Sequence, residues 1–200
     1  MTIFNKTYKI KIYRDDELGM GSLPGLQYDR IYNPYNIDTN DIDYFSVLSV
    51  DIDSEKNSKI AFIGILFSTG KDIAILKNDK LFVLFFSMII EIDLHTLDIF
   101  THDIAEYQCF SIYEFDSGYI IHGEMEIVKL NKNLEVEWSE MGADIFVNPD
   151  RDDVFRIEND MIHVIDWDGR KYVFDKDGND GLNHFYKLRK SIDNNMQLSD

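Results

Sequence analysis

The chain has 200 residues, with 20 basic against 37 acidic side chains and a formal net charge of −17. Its 44% hydrophobic and 14% aromatic content excludes a disordered chain and supplies enough apolar material for a real core. The acidic balance, with a pI near 4.5, disfavours phosphate backbones and anionic membrane surfaces, so neither nucleic acid nor membrane is an expected partner.

In chain order, Tyr8, Ile10 and Ile12 alternate with Lys9, Lys11 and Tyr13, the period-two pattern of a half-buried strand. Met1 to Arg14 has no apolar run behind basic residues, which argues against a secretory leader. The run Gly19 to Gly25 is glycine-rich, but Pro24 stands where a dinucleotide fingerprint needs glycine and no Gly-Lys-Ser/Thr follows; it reads as a surface loop. Tyr28, Tyr32 and Tyr35 lie among Asp29, Arg30, Asn33 and Asn36, a candidate stacking platform for a small ligand or carbohydrate. Strand-like runs follow at Tyr44 to Asp53, Lys59 to Phe67, Asp72 to Leu76, Lys80 to Phe86 and Met88 to Leu94, separated by Asp, Asn, Ser and Gly, the residues of tight turns. The most apolar run, Leu81 to Ile90, includes Ser87 and is too short to span a membrane as a helix. Pro24, Pro34 and Pro149 all fall in expected loops.

Three tight turns align when Leu94, Leu130 and Ile165 are taken as equivalents, with a looser copy around Ile52; the spacing of about 35 to 42 residues is that of a four-stranded blade. The candidate repeats cover about residues 7–67, 72–104, 108–141 and 143–177 of one all-β domain spanning 1–200. The hairpin Ile165-Asp166-Trp167-Asp168-Gly169-Arg170-Lys171-Tyr172-Val173-Phe174 resembles those of β-propeller blades. That resemblance implies a small propeller-like arrangement of antiparallel meander sheets. A β-sandwich or barrel rolled from one long meander fits the same strands. Leu182, Phe185, Tyr186 and Leu188 recur at three- and four-residue steps, predicting a short C-terminal helix at about 182–191.

Chemistry-bearing motifs are weak. His95, His102, His122, His163 and His184 follow no zinc-ligand spacing. The acidic turn Asp175-Lys176-Asp177-Gly178-Asn179-Asp180-Gly181 concentrates oxygen ligands as calcium loops do, with Asp175, Asp177, Asn179 and Asp180 the candidates. However, Asp180 stands where an EF-hand loop needs glycine, and Tyr186 stands where it needs a chelating Glu. Carboxylate pairs such as Asp51 with Asp53 and Glu124 with Glu126 share strand faces in the way a metal-assisted hydrolase needs, yet 37 acidic residues make such pairs unavoidable. No cofactor and no catalytic activity are expected. The lone Cys109 suits a reducing compartment, so a cytoplasmic location is expected.

The acids lie along strands and turns rather than in one tail. Glu124, Glu126, Glu135, Glu137, Glu140 and Asp144 beside Trp138 therefore form the expected anionic face for a basic protein partner. Trp138 and Trp167 each adjoin a repeat turn and are expected to pack between sheets. In general character, small, acidic and motif-poor, the chain resembles immunity proteins of bacterial polymorphic toxin systems; that resemblance implies neutralisation of a cationic toxin.

Overall fold

The computed structural model describes residues 1–14, 28–34, 36, 46–64, 72–148, 150–151 and 153–179. They form sixteen strands in four sheets, and the chain divides into two compact units, Met1–Tyr113 and Glu114 onward.

The first sheet contains β1 (Thr2–Phe4), β2 (Lys9–Arg14), β3 (Arg30–Tyr32), β4 (Ser46–Asp53) and β5 (Ser58–Gly64), in the order β1-β2-β4-β5-β3. Alternation fixes its register: Ile12 faces Val50, which faces Ile60, and Leu48 faces Phe62. A slip by one residue would turn this apolar set to the other face. The second sheet is a meander of β6 (Ala74–Lys77), β7 (Lys80–Phe85), β8 (Met88–Asp93) and β9 (Ile99–Asp103). Leu81, Val83 and Phe85 lie opposite Ile92, Ile90 and Met88. The two sheets share one apolar core, in which Ile10, Val50, Ile60, Phe62, Leu81 and Ile90 are completely buried. Each such side chain contributes roughly 1.5–3 kcal/mol.

The third sheet runs β10 (Cys109–Phe115), β11 (Gly118–Gly123), β12 (Glu126–Leu130) and β13 (Val136–Met141), and the fourth β14 (Phe155–Glu158), β15 (Met161–Ile165) and β16 (Lys171–Phe174). In the second unit Phe115, Ile120, Ile127, Phe146, Ile162, Val164 and Phe174 form the core, with Trp138, Phe155 and Tyr172 packed against it.

Four turns share one construction. Asn131, Asp166 and Asp175 each donate a backbone N–H to the carbonyl four residues on, accept at their own carbonyl the N–H three residues on, and bind the closing N–H with a side-chain oxygen. Asp93 heads a version one residue longer, its carboxylate accepting the N–H groups of His95 and Thr96. The residue before the close is left-handed in every copy: Leu97 (φ 62°), Leu134 (φ 66°), Gly169 (φ 83°) and Gly178 (φ 79°). Glycine adopts this conformation without steric cost. Leucine does so at about 1–2 kcal/mol, which burial of Leu134 offsets (4% exposed).

The all-β expectation holds for the described residues, but the closed architectures do not. All four sheets are open, none closes on itself, and the first is no meander, because β3 pairs parallel with β5. The fourth has three strands. This overturns the propeller-like and barrel readings. Periodic turns specify hairpins, which are local, whereas closure is a long-range property that turn spacing does not encode. No helix occurs among the described residues; the helix expected at 182–191 lies outside them, as do the glycine-rich run 19–25 and His184.

Candidate functional site

β13 ends the third sheet. Among the described residues none of its backbone groups hydrogen-bonds beyond the ladder with β12, so its outer edge presents unpaired N–H and C=O groups. Of its six residues only Trp138 is less than exposed, and Val136 and Met141 show about half their surface to solvent (49% and 51%). Glu135 precedes the strand, and Glu137 and Glu140 lie on it, all exposed.

Compensation of these carboxylates is uneven. Glu135 accepts a hydrogen bond from the Asn131 amide at 2.7 Å. Glu137 lies 3.7 Å from the ammonium of Lys129, whose side chain is 1% exposed and donates to the Phe115 and Leu130 carbonyls at 3.1 and 3.3 Å. Glu140 has neither a hydrogen bond nor a cation among the described residues.

The other members of the expected face are placed differently. Glu126 is buried (5% exposed) and accepts from the Ser139 hydroxyl at 2.7 Å; it is not a surface contact. Glu124 and Asp144 are half-buried in connecting segments, and Asp144 accepts the N–H of Ile145. Trp138 packs as an inter-sheet residue: its indole N–H donates to the Lys176 carbonyl at 3.0 Å and its ring lies 6.1 Å from that of Phe174. Trp167 does not, being 49% exposed on its turn. Sequence reading missed the edge position of β13 and the buried Lys129; the apolar Val136 and Met141 bracketing Glu137 and Glu140 were its one available signal.

The tyrosine segment divides. Tyr32 packs edge-on against Phe62 (5.9 Å, 67°) and joins the first unit's core, because it lies opposite Phe62 in the β3–β5 ladder. Tyr35 lies outside the described residues. Tyr28 instead joins a ladder on the first sheet, where the Lys59 ammonium lies 4.8 Å from its ring and 5.7 Å from that of Tyr13, and Lys11 lies 4.6 Å from Tyr13. Burial pulls the Lys59 pKa down, but its bond to Tyr13 and the charge of Asp51 more than offset this, holding it above the usual lysine value. With Asp29, Asp51, Asp53 and Asn57, Tyr28 and Lys59 line an open groove of about 610 Å³.

Asp175 spends its carboxylate on the N–H groups of Asp177 and Asn179 and on the Asn179 amide, and Asp180 lies outside the described residues. Among the described residues no group of three or more His, Cys, Asp or Glu side chains is arranged to hold a metal ion. His102 bonds Glu91, which also pairs with Lys80, making a polar ladder across β7, β8 and β9. Among the described residues no helix is long and apolar enough to cross a membrane.

No protein-family model matches the chain, and no curated protein matches it. The resemblance to immunity proteins therefore has no relative behind it and is withdrawn.

Proposed function

We propose that the chain is a non-catalytic protein-binding module in which the acidic edge strand β13 takes up a basic, extended segment of a partner protein as an added strand. The supporting observation is the coincidence of an unpaired backbone edge with the exposed carboxylates of Glu135, Glu137 and Glu140. Main-chain hydrogen bonds supply affinity in strand addition, while side chains at alternate positions supply selection. Carboxylates along the edge select Lys and Arg and repel the same edge of a second copy, since like charges facing each other across a strand pair are destabilising.

The test is fluorescence anisotropy of a labelled peptide alternating Lys with Val, titrated with the full chain. Exposed ion pairs contribute about 0.2–1 kcal/mol each, so the triple variant Glu135→Gln, Glu137→Gln, Glu140→Gln is expected to weaken binding about tenfold. Added salt is expected to weaken it in the wild type, and N-methylation of alternate peptide nitrogens to abolish it. Binding that ignores both the triple substitution and ionic strength would sink the proposal.

A further inference from the structure

At one end of the first unit, the turns at 5–8, 54–58 and 94–97 surround a cleft of about 410 Å³, within the size range of small-molecule sites. Each turn is fixed by its own side chains. Asn5 accepts the N–H groups of Thr7 and Tyr8 and donates to the Asn78 carbonyl; Ser54 bonds the backbone of Lys56; Asp93 holds His95 and Thr96. A cleft built from such turns needs little ordering when a ligand enters.

Its lining combines buried apolar surface with unspent hydroxyls. Leu94 is 5% exposed and Tyr8 is 8% exposed, and Leu97 is half-buried beside them. The hydroxyls of Thr7, Tyr8 and Ser58 make no hydrogen bond to the protein among the described residues. No fully enclosed side-chain oxygen or nitrogen lacks a partner among these residues, so the Tyr8 hydroxyl is the solvent-reaching tip of an otherwise buried ring. Burial, with Asp79 and Asp93 nearby, raises its pKa, which keeps it a proton donor. At the rim Lys56 and Glu55 carry opposite charges, and Asp79 and Asp93 near Tyr8 disfavour an anion, which suits an uncharged, hydroxyl-bearing ligand.

The geometry points to this cleft as a binding site for a neutral mono- or disaccharide, with Tyr8, Thr7 and Ser58 hydrogen-bonding its hydroxyls and Leu94 and Leu97 meeting its C–H face. A sugar ring offers that combination of apolar face and polar edge. This site lies within the first unit and does not depend on the reading of β13.

The experiment is amide NMR of the full chain titrated with a panel of neutral mono- and disaccharides. Saturable shifts confined to residues 7–8, 54–58 and 94–97 are expected for at least one sugar. Tyr8→Phe, which removes a hydroxyl the fold does not use, is expected to leave the melting temperature unchanged and weaken binding about fivefold, the worth of one hydrogen bond; Ser58→Ala should act alike. Absence of saturable shifts at tens of millimolar, shifts centred instead on Tyr28 and Lys59, displacement of the sugar by inorganic phosphate, or full affinity in both variants would each overturn the assignment.

Discussion

Acidification should weaken the second unit, and His122 carries the largest part of the effect. His122 on β11 is buried, its ring stacked on Phe155 at 4.8 Å and its Nε2–H donating to the Phe146 carbonyl at 2.9 Å. Burial pushes its pKa down from 6.5 to about 4, against a smaller opposing effect of the Phe146 bond. The unfolded chain therefore takes up this proton first as pH falls. Stability is intact above the unfolded value near 6.5, declines by about 1.4 kcal/mol per pH unit below it, and levels off once the folded state also protonates near pH 4. The full loss is about 3 kcal/mol, a large share of the ~5–15 kcal/mol by which domains are stable. Urea unfolding followed by circular dichroism should give a midpoint that falls between about pH 6.5 and pH 4, and His122→Gln should remove most of that slope. His163, lowered by burial and by Arg156, adds to the same trend, so the difference between wild type and variant is the informative quantity. A ring-proton titration of His122 centred near 6.5, or equal slopes in both proteins, would refute the reasoning.

Asp166 is completely buried and accepts from Arg170 and from the Tyr172 hydroxyl, which itself accepts the N–H of Ala143. Asp166→Ala leaves the Arg170 N–H and the Tyr172 hydroxyl without their acceptor while the half-exposed Arg170 guanidinium turns to water, and it is expected to cost about 2–3 kcal/mol in urea unfolding, with Asp166→Asn costing less. Burial would raise the Asp166 pKa, but the bonds from Tyr172 and Arg170 hold it below the usual value, so its contribution is lost only as pH falls below about 4. Lys129→Met keeps the stem's volume and should cost about 1 kcal/mol against about 3 for Lys129→Ala. It also removes the cation beside Glu137, so the methionine variant should bind the basic peptide more tightly at low salt in the anisotropy assay.

Alternation made the strands readable, because Ile10 and Ile12 or Leu81 and Val83 can bury only one face of a pleated strand. The turns were readable through their Asp and Asn heads and, at Gly169 and Gly178, through the residue that tolerates a left-handed backbone. At Leu97 and Leu134 the same conformation is imposed by packing, and no leucine signals it. The β3–β5 parallel pair was invisible because neither strand carries information about its neighbour. The acidic face was half legible: Glu137 and Glu140 are exposed, but the Glu124-Met125-Glu126 alternation did not reveal that Glu126 turns inward to Ser139. The cleft at the sheet end escaped because Thr7, Ser58 and Leu97 are far apart in sequence and ordinary in type.

The chain's two tryptophans, Trp138 and Trp167, both belong to the second unit, whereas in the first the strongest ultraviolet fluorophore is tyrosine. Selective long-wavelength excitation thus observes one unit alone, and excess tyrosine absorbance observes chiefly the other. Coincidence or separation of the two optical transitions in one melt would reveal whether the units unfold as a single cooperative block.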